Sequence, residues 1–373
     1  MITLKEIAER ADVSIGTVDR VLHNRGKVAP DKELRIRRIL KELNYKPNVF
    51  ARNLVLRKAF RFGVLMPRPE QDSGYWKNPV KGIERAQREL HGQKVNVEYY
   101  FYDKFLEESF IGEFDRLLES KPDGLLIAPV LSRAASQMVG KIPGHLPYVF
   151  FDSNIPDAAC LSTIGQDAYK SGILSGKLMH TLAQGGGCVA VIRLLPEDYH
   201  IDGRVNGFKD YFKDKPDFRI AAYDADGGWE EEKFRSLTGR VLSENTDLKG
   251  IFVTNVCVHK IAEQISTLSQ NNKVRLIGYD LIEQNVRYLK EGVIDYLISQ
   301  RPEIQGYQGI YALYNRVVLM GRVRPKVMMP LDIVTRENIE FYLSIENEDM
   351  QDALKFRTHV AAQEKNAIPE TTG

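Results

Sequence analysis

Residues 4 to 43 carry apolar side chains at the three- and four-residue spacing of short amphipathic helices. Polar residues fill the positions between them, and breaks near Asp12 and in the 23–28 loop divide the stretch into three predicted helices. Pro30 suits the first turn of the third helix, because its missing N–H has no helical partner there. The predicted buried positions are Leu4, Ile7, Ala8 and Ala11, then Val18, Val21 and Leu22, then Leu34, Ile36, Ile39, Leu40 and Leu43.

Two short helices joined by a tight turn, with a third as support, predict a helix-turn-helix. Thr3 and Glu6 fit a capping box at the start of the first helix, and Ser14 fits the N-cap of the second. The exposed residues at the start of the second helix would then face the major groove of DNA. They are Ile15, Gly16, Thr17 and Arg20. A small three-helix module that binds another protein is the alternative.

From residue 60 onward, short apolar runs rich in β-branched and aromatic residues alternate with helical patterns. This alternation predicts an α/β body of parallel sheets covered by helices, and the chain length suffices for two sheets. The predicted strands are FRFGVLMP, VNVEYYFYD, DGLLIAPV, LPYVFFDS, CVAVIRLL, FRIAAYDAD, GIFVTN and KVRLIGYD. The predicted helices include 79–91, 106–120, 167–183, 202–213, 230–244 and 258–270.

Polar and aromatic side chains follow several of the predicted strands. The first strand leads toward Tyr75 and Trp76, and three later strands end at Asp152, Asn255 and Asp280. Ligands of open α/β sheets bind beyond the carboxyl ends of the strands. Carboxylates and amides accept and donate hydrogen bonds, and aromatic faces pack on C–H groups, so the set suits a polyhydroxylated ligand. For any single aspartate, a helix N-cap is the structural alternative.

Charge is distributed unevenly along the chain. Residues 1–61 contain 15 Lys and Arg against 7 Asp and Glu, whereas the remainder contains 37 against 43. A basic head on an acidic body favours a polyanionic partner for the head.

The composition, 43% hydrophobic and 27% charged, is typical of a soluble globular protein. No apolar stretch approaches a membrane span, and the charged start is unlike a signal peptide, so we expect a cytoplasmic protein without membrane contact. Cys160, Cys188 and Cys257 are far apart and lie in or beside apolar runs, which predicts buried hydrophobic roles. No metal-ligand spacing occurs, and we expect no metal and no cofactor.

The segments TLKEIAERADVSIGTVDRVLHN and ILKELNYKPNVFARNL, with Val28 between them, resemble the DNA-binding head and hinge of the LacI family of bacterial transcription regulators. The resemblance implies a base-reading face of Ile15, Gly16 and Arg20, with Arg20 supplying most of the polar contacts. Asp19 departs from the family, which usually has serine there, and a carboxylate cannot contact phosphate favourably. The implied DNA-binding head residues are Thr3, Ser14, Ile15, Gly16, Thr17, Arg20, His23, Asn24 and Arg25.

In the family, the segment after the head forms a short hinge helix when DNA is bound. Paired hinge helices of a dimer enter the minor groove, where a leucine wedges into a base step and bends the duplex. The resemblance assigns this wedge to Leu54, with Asn48, Ala51 and Arg52 as further DNA contacts. An isolated helix this short is unstable in water, which makes the segment switchable.

The body resembles the ligand-binding core of LacI-family regulators and of ribose-type periplasmic binding proteins. The matching segments are YVFFDSNIPD, STIGQDAYKSGILSGKLM, RVNGF, FVTN and LIGYD followed by EGVIDYLISQRPEIQGYQG. The ligand positions implied are Tyr75, Trp76, Asp152, Arg204, Asn255, Asp280 and Gln300. Ser153 stands where ribose-type proteins commonly have arginine, so the exact sugar does not transfer, and Arg204 leaves a sugar acid open.

These observations predict an all-α helix-turn-helix head at 1–47, a hinge and linker at 48–61, a two-lobe α/β core at 62–345 and an extension at 346–373. Three lobe crossings are expected near 163–166, 298–302 and 329–332. The predicted function is a homodimeric regulator, acting as a repressor on a palindromic operator under control of a monosaccharide or sugar derivative. A regulator without an effector is the alternative. An α/β enzyme is a weaker one, since GGGC precedes a strand and GILSGK is too short for a phosphate loop.

Overall fold

The computed structural model describes residues 4–22, 26, 28–43, 59–194, 198–225, 230–268 and 274–344. Contacts divide the chain into two units, Met1–Lys58 and Ala59–Gly373, which we call the head and the body. Several predicted features lie outside the described residues. They are Thr3, His23, Asn24, Arg25, Asn48, Ala51, Arg52 and Leu54, the hinge up to residue 58, and the C-terminal extension.

The described part of the head contains helices α1 (Leu4–Ala11), α2 (Ile15–Leu22) and α3 (Pro30–Glu42). Their fully buried residues are Ile7, Ala8, Ala11, Val18, Val21, Ile36 and Ile39. Leu34 was predicted to join this core, but that prediction is wrong, because its side chain is 75% exposed. At about 100° per residue, Leu34 points roughly 200° away from Ile36 and therefore toward solvent.

The body is built on two six-stranded sheets among the described residues. The strands are β1 (Phe60–Pro67), β2 (Val95–Tyr102), β3 (Gly124–Ile127), β4 (Tyr148–Phe151), β5 (Ser162–Gly165), β6 (Gly187–Leu194), β7 (Phe218–Ala225), β8 (Leu248–Val253), β9 (Arg275–Tyr279), β10 (Tyr296–Ser299), β11 (Lys326–Met328) and β12 (Asp332–Val334). Sheet A has the order β11-β5-β4-β3-β1-β2, and sheet B the order β12-β10-β9-β8-β6-β7.

The strand pairing is parallel throughout sheet A and in most of sheet B. The exception is β12, which joins the edge of sheet B antiparallel to β10. The predicted α/β two-sheet class is confirmed, with this one antiparallel edge added. Strand β1 begins at Phe60, so the last two residues of the predicted linker belong to the first strand.

Helices cover both sheets. They are α4 (Lys77–Glu89), α5 (Glu107–Glu119), α6 (Ser132–Val139), α7 (Ala168–Leu182), α8 (Tyr199–Phe212), α9 (Glu231–Glu244), α10 (Val258–Leu268), α11 (Glu283–Lys290) and α12 (Pro302–Leu313). Helix α12 was not singled out in the sequence. It packs against both α4 and sheet A, so its apolar residues are not confined to one stripe.

The chain passes between the sheets three times, which makes the body two-lobed. Lobe A contains sheet A, and lobe B contains sheet B. The passages lie between β5 and α7, between β10 and α12, and between β11 and β12. Gln166 in the first passage donates from Nε2 to the carbonyl of Ser299 and to that of Pro330, both at 2.7 Å. One side chain therefore ties all three passages together.

No helix in the described ranges is long and apolar enough to cross a membrane. The same residues contain no group of three or more His, Cys, Asp or Glu side chains placed to hold a metal ion. The three cysteines are free thiols. Cys188 and Cys257 are buried as predicted, whereas Cys160 is half-buried.

Candidate functional site

The seven ligand positions predicted from the sequence all line one cavity between the two lobes. They are Tyr75, Trp76, Asp152, Arg204, Asn255, Asp280 and Gln300. Asp152 follows β4 and Asp280 follows β9, so each stands at the carboxyl end of a parallel strand. Arg204 instead projects from α8, and Gln300 lies in the second passage between the lobes. The topology thus brings residues from distant parts of the chain to one place.

The lobe A wall of the cavity centres on Asp152. Its backbone is left-handed, with φ of 67°, and its N–H donates to Gln305 Oε1 at 2.8 Å. The Tyr75 hydroxyl donates to Asp152 Oδ1 at 2.5 Å. Burial raises the pKa of Asp152 and raises that of Tyr75 well above its usual value. Trp76 is buried beside Tyr75, and its Nε1 donates to Asp72 Oδ2 at 2.8 Å.

The lobe B wall is a hydrogen-bonded chain from Arg204 through Gln300 to Asp280. Gln300 donates its backbone N–H to Asp280 Oδ1 at 3.0 Å and its Nε2 to Asp280 Oδ2 at 2.6 Å. Arg204 donates to Gln300 Oε1 and, at 2.6 Å, to the carbonyl of Thr254. Burial raises the pKa of Asp280 to about 7, although both bonds from Gln300 favour its charged form.

Arg204 is held in a fixed orientation but keeps one donor unused. Its guanidinium lies 3.8 Å from the ring centroid of Tyr279, a cation–π contact. The side chain is 1% exposed, and its Nε has no hydrogen-bond partner within the described ranges. A buried donor without an acceptor costs free energy, so Arg204 Nε is a candidate contact for a ligand oxygen.

Asn255 makes a local contact rather than a contact across the cavity. Its Oδ1 accepts a hydrogen bond from the backbone N–H of Cys257 at 2.9 Å. This bond shapes the turn that leads into α10.

Four polar residues of the cavity were missed in the sequence: Asp72, Lys104, Asp198 and His200. Lys104 directly follows the end of the second predicted strand, so the strand-end rule that found Asp152 would also have found it. It forms a buried ion pair with Asp72, with 1% and 7% of the side chains exposed. Asp72 lies in helical turns, Gln71–Gly74, with left-handed backbone at Asp72 and Ser73.

Asp198 and His200 come from the start of α8. Asp198 caps this helix, accepting a hydrogen bond from the backbone N–H of His200 at 3.2 Å. His200 Nδ1 also lies 2.9 Å from Asp198 Oδ1, although without the angle of a hydrogen bond. Nothing local in the sequence distinguishes this N-cap from any other, so its position at the cavity depends on tertiary structure.

Among the described residues, three hydrogen bonds join the lobes directly across the cleft. Ser153 Oγ donates to Asp198 Oδ1 at 2.9 Å, and the backbone N–H of Tyr199 donates to Ser132 Oγ at 3.1 Å. Ser73 Oγ lies 3.1 Å from His259 Nε2. The cavity volume is about 30 Å³, room for about two water molecules. The cleft is therefore closed, and the lobes must separate to admit a larger ligand.

The described head residues that were predicted to face DNA lie at or within α2. Ser14 Oγ accepts a hydrogen bond from the backbone N–H of Thr17 at 3.2 Å, which caps the helix as expected. Ile15 is 48% exposed. Arg20 folds back along the helix, donating from Nε to the carbonyl of Gly16 at 3.1 Å and from Nη2 to Thr17 Oγ1 at 3.4 Å.

Comparison with known proteins matches both units of the chain. Residues 62–319 match the periplasmic binding protein domain, and residues 3–48 match the bacterial regulatory proteins of the lacI family. The chain therefore belongs to the periplasmic-binding-protein domain family through its body, and it carries a head that matches the bacterial regulatory proteins of the lacI family.

Two curated relatives each match part of the chain. The HTH-type transcriptional regulator MalR of Streptococcus pneumoniae is 34% identical over 95 residues, 24% of this chain and 28% of that protein. The xylose/arabinose-binding protein XylF of Sulfolobus acidocaldarius is 26% identical over 190 residues, 49% of this chain and 46% of that protein. These matches span less than half the length of either relative.

Among solved structures, the crystal structure of a putative LacI transcriptional regulator from Bacteroides fragilis superposes with a TM-score of 0.69 at 27% identity. The superposition covers 76% of this chain and all of that one. The two-lobed architecture is thus shared over the whole of that structure.

Proposed function

We propose that this protein is a DNA-binding transcription regulator, acting as a repressor, whose operator affinity is controlled by a small sugar-like effector bound between the lobes. The observation that carries the proposal is the convergence of all seven expected ligand residues on one interlobe cavity. The family match of the head supports the DNA-binding part.

The head contributes the DNA contact. Helix α2 presents a small, uncharged start, and backbone N–H groups at a helix start suit phosphate contacts. Arg20 swings from its bonds with Gly16 and Thr17 to a guanine edge, where a guanidinium makes two parallel hydrogen bonds. Ile15 packs against a thymine methyl group. Asn48, Ala51, Arg52 and Leu54 extend the contact into the minor groove under this proposal.

The body contributes the control. The effector binds the polar groups of both lobes, so it favours one lobe arrangement over another, and that difference in affinity is what shifts the population. In a homodimer, the lobe movement changes the separation of the two hinge segments and so the fit to a palindromic operator. No chemical conversion is assigned to the cleft. We propose a binding protein in the cytoplasm rather than an enzyme.

An effector-independent regulator is favoured by one observation. The polar groups of the cleft already bond one another through Tyr75–Asp152 and Arg204–Gln300–Asp280, and little space remains. A protein of this kind would keep its lobes closed without a ligand.

The experiment tests the head and the cleft in the same full-length protein. DNA sites are selected from a random pool, and affinity is measured with and without sugars that raise the melting temperature. We expect a palindromic site whose affinity changes with a stabilising sugar. Selection of no site contradicts the DNA-binding role. Selection of a site whose affinity no stabilising sugar changes supports the effector-independent alternative.

Arg20→Ala provides the residue-level test of the same proposal. We expect it to lose discrimination at one base pair per half-site, by about 1–3 kcal/mol. Arg37→Ala is the matched control, because it removes the same charge from α3, where Arg37 pairs with Glu33 on the helix surface. A uniform loss across all sequences would make Arg20 a phosphate contact only.

A further inference from the structure

The charges that line the cleft cavity are predominantly negative. Four aspartates face it, Asp72, Asp152, Asp198 and Asp280, against Lys104 and Arg204. His200 also lines the cavity. Among the described lining residues, aspartates therefore outnumber lysine and arginine by two.

Neither cation forms a direct ion pair with the central carboxylates among the described residues. Lys104 is paired with Asp72 inside lobe A. Arg204 donates to two uncharged acceptors, the Thr254 carbonyl and the Gln300 side chain. Within the described ranges, neither Asp152 nor Asp280 has a cationic nitrogen within ion-pair distance. Their hydrogen-bond donors are the neutral groups of Tyr75 and Gln300.

The central carboxylates, Asp152 and Asp280, line the same cavity from opposite lobes. Asp152 comes from lobe A and Asp280 from lobe B, and the charge of each raises the pKa of the Tyr75 hydroxyl. Each is also buried, and burial raises the pKa of both. A cation bound beside these carboxyl groups favours their charged forms, whereas a second anion is disfavoured there.

An independent feature marks the same place as a ligand site. Arg204 Nε is buried without an acceptor, so a ligand oxygen is needed beside the carboxylates. A hydroxyl or ring oxygen serves as this acceptor without adding negative charge to the cleft. The cleft therefore suits a small molecule that carries both a cationic group and at least one hydroxyl or ring oxygen.

We propose that the effector is an amino sugar or amino polyol whose ammonium group lies between Asp152 and Asp280 and whose oxygen accepts from Arg204 Nε. This inference rests on the proposed function and narrows its effector class. It also excludes sugar acids, which Arg204 considered alone would allow as effectors, and sugar phosphates. Both classes would add negative charge to the cleft.

The test compares matched sugars on the full-length protein by thermal shift and calorimetry. The panel contains D-glucose, D-glucosamine, N-acetyl-D-glucosamine, D-glucuronate and D-glucose 6-phosphate, with the available D-galactose and D-mannose counterparts. In at least one series we expect the amino sugar to bind about tenfold tighter than its parent, because a charged hydrogen bond replaces a neutral one. The N-acetyl form, which lacks the charge, loses this advantage.

Charge-removing variants connect the preference to the carboxylates. Asp280→Asn and, separately, Asp152→Asn should reduce the preference for the amino sugar to about twofold or less. Asp115→Asn is the matched control, because it removes one charge from an exposed pair with Lys141 on lobe A. It should leave the preference unchanged. Two independent cleft variants keep the test informative if one of them fails to fold.

The outcomes separate this inference from the function beneath it. Tighter binding of a uronate or sugar phosphate than of its parent overturns the amino-sugar inference and leaves a sugar-controlled regulator standing. Equal or weaker binding of the amino sugar relative to its parent also overturns the amino-sugar inference and leaves a sugar-controlled regulator standing. Binding of no compound in the panel overturns both the sugar effector and this inference.

Discussion

Individual side chains in the cleft have unusual protonation because the two lobes bury them. His259 shows this clearly: burial, together with the nearby charge of Lys260, lowers its pKa to about 4. Its Nε2 faces Ser73 of the opposite lobe, and its Nδ1 lies 3.1 Å from Asn285 Oδ1. Asp280 is shifted in the opposite sense, with its pKa raised to about 7. A neutral histidine and an aspartate that resists ionisation therefore coexist in one closed cleft.

His259 predicts a definite pH dependence of stability. The unfolded chain takes up a proton at this histidine below about pH 6.5, whereas the folded chain does so only near pH 4. The free energy of unfolding therefore falls as pH decreases through this window. Between pH 7 and pH 4, we expect His259 to lower the free energy of unfolding of the wild type by on the order of 3 kcal/mol. The variant His259→Gln should lack this decrease. Denaturant unfolding at each pH measures the difference.

The raised pKa of Asp280 has the opposite effect, because it increases the free energy of unfolding as pH decreases through the same window. Asp280 is present in both the wild type and His259→Gln, so its effect cancels in the comparison. His91→Gln, at an exposed position, is the matched control and should keep the wild-type pH dependence. Equal pH dependence of the wild type and His259→Gln would show that His259 is protonated alike in the folded and unfolded chains.

At the level of elements, the position of Arg204 depends on how closely α7 and α8 pack. A Cβ at Gly207 would lie 2.0 Å from the carbonyl oxygen of Tyr169, and one at Gly172 would lie 2.1 Å from that of Arg204. The two backbones therefore approach more closely than any side chain permits. Helix α8 carries both Asp198 at its cap and Arg204 in its middle, so this packing sets their positions in the cleft.

Gly207→Ala should separate the two helices. We expect the free energy of unfolding to fall by about 1–3 kcal/mol, with a further loss of effector affinity because α8 moves. Gly239→Ala in α9 is the matched control, since no atom lies within 4 Å of the added Cβ. It should be neutral or stabilise by up to about 1 kcal/mol. Urea unfolding of both variants checks this, and equal effects would contradict the packing argument.

For the body as a whole, lobe movement must be accommodated by the three passages between the sheets. Gln166 binds the carbonyls of the other two passages, and the backbone N–H of Met329 donates to the carbonyl of Gly165 at 2.9 Å. Gln305 adds a second link, from the carbonyl of Gln300 to the backbone N–H of Asp152. The passages are therefore coupled to each other and, through Asp152, to the ligand cavity.

Gln166→Ala should loosen this coupling. Two carbonyls lose their donor, so we expect hydrogen exchange at the Met329 and Asp280 amides to rise by about tenfold, equivalent to roughly 1.4 kcal/mol. Gln137→Ala, on the exposed face of α6, is the matched control and should leave both amides protected. Unchanged exchange in Gln166→Ala would show that the passages are held by backbone contacts alone.

The sequence by itself determined the features that depend on local order. Helical spacing predicted the head core except at Leu34, an apolar residue on the solvent-facing side of α3 that was wrongly assigned to the core. Strand-end positions predicted Asp152 and Asp280, because parallel strands bring their carboxyl ends to one edge. The family resemblance supplied Arg204 and Gln300, which no local pattern distinguishes.

Only the tertiary structure decided which polar groups share the cleft and how they are charged. Asp72 and Lys104 form their buried pair, and Asp198 meets Ser153, because two lobes folded from separate stretches of chain close on each other. The pKa of a carboxylate likewise depends on its burial and on charges brought near it, neither of which is encoded at neighbouring positions. The preference for a cationic ligand follows from that closure, whereas the sequence alone left a sugar acid open.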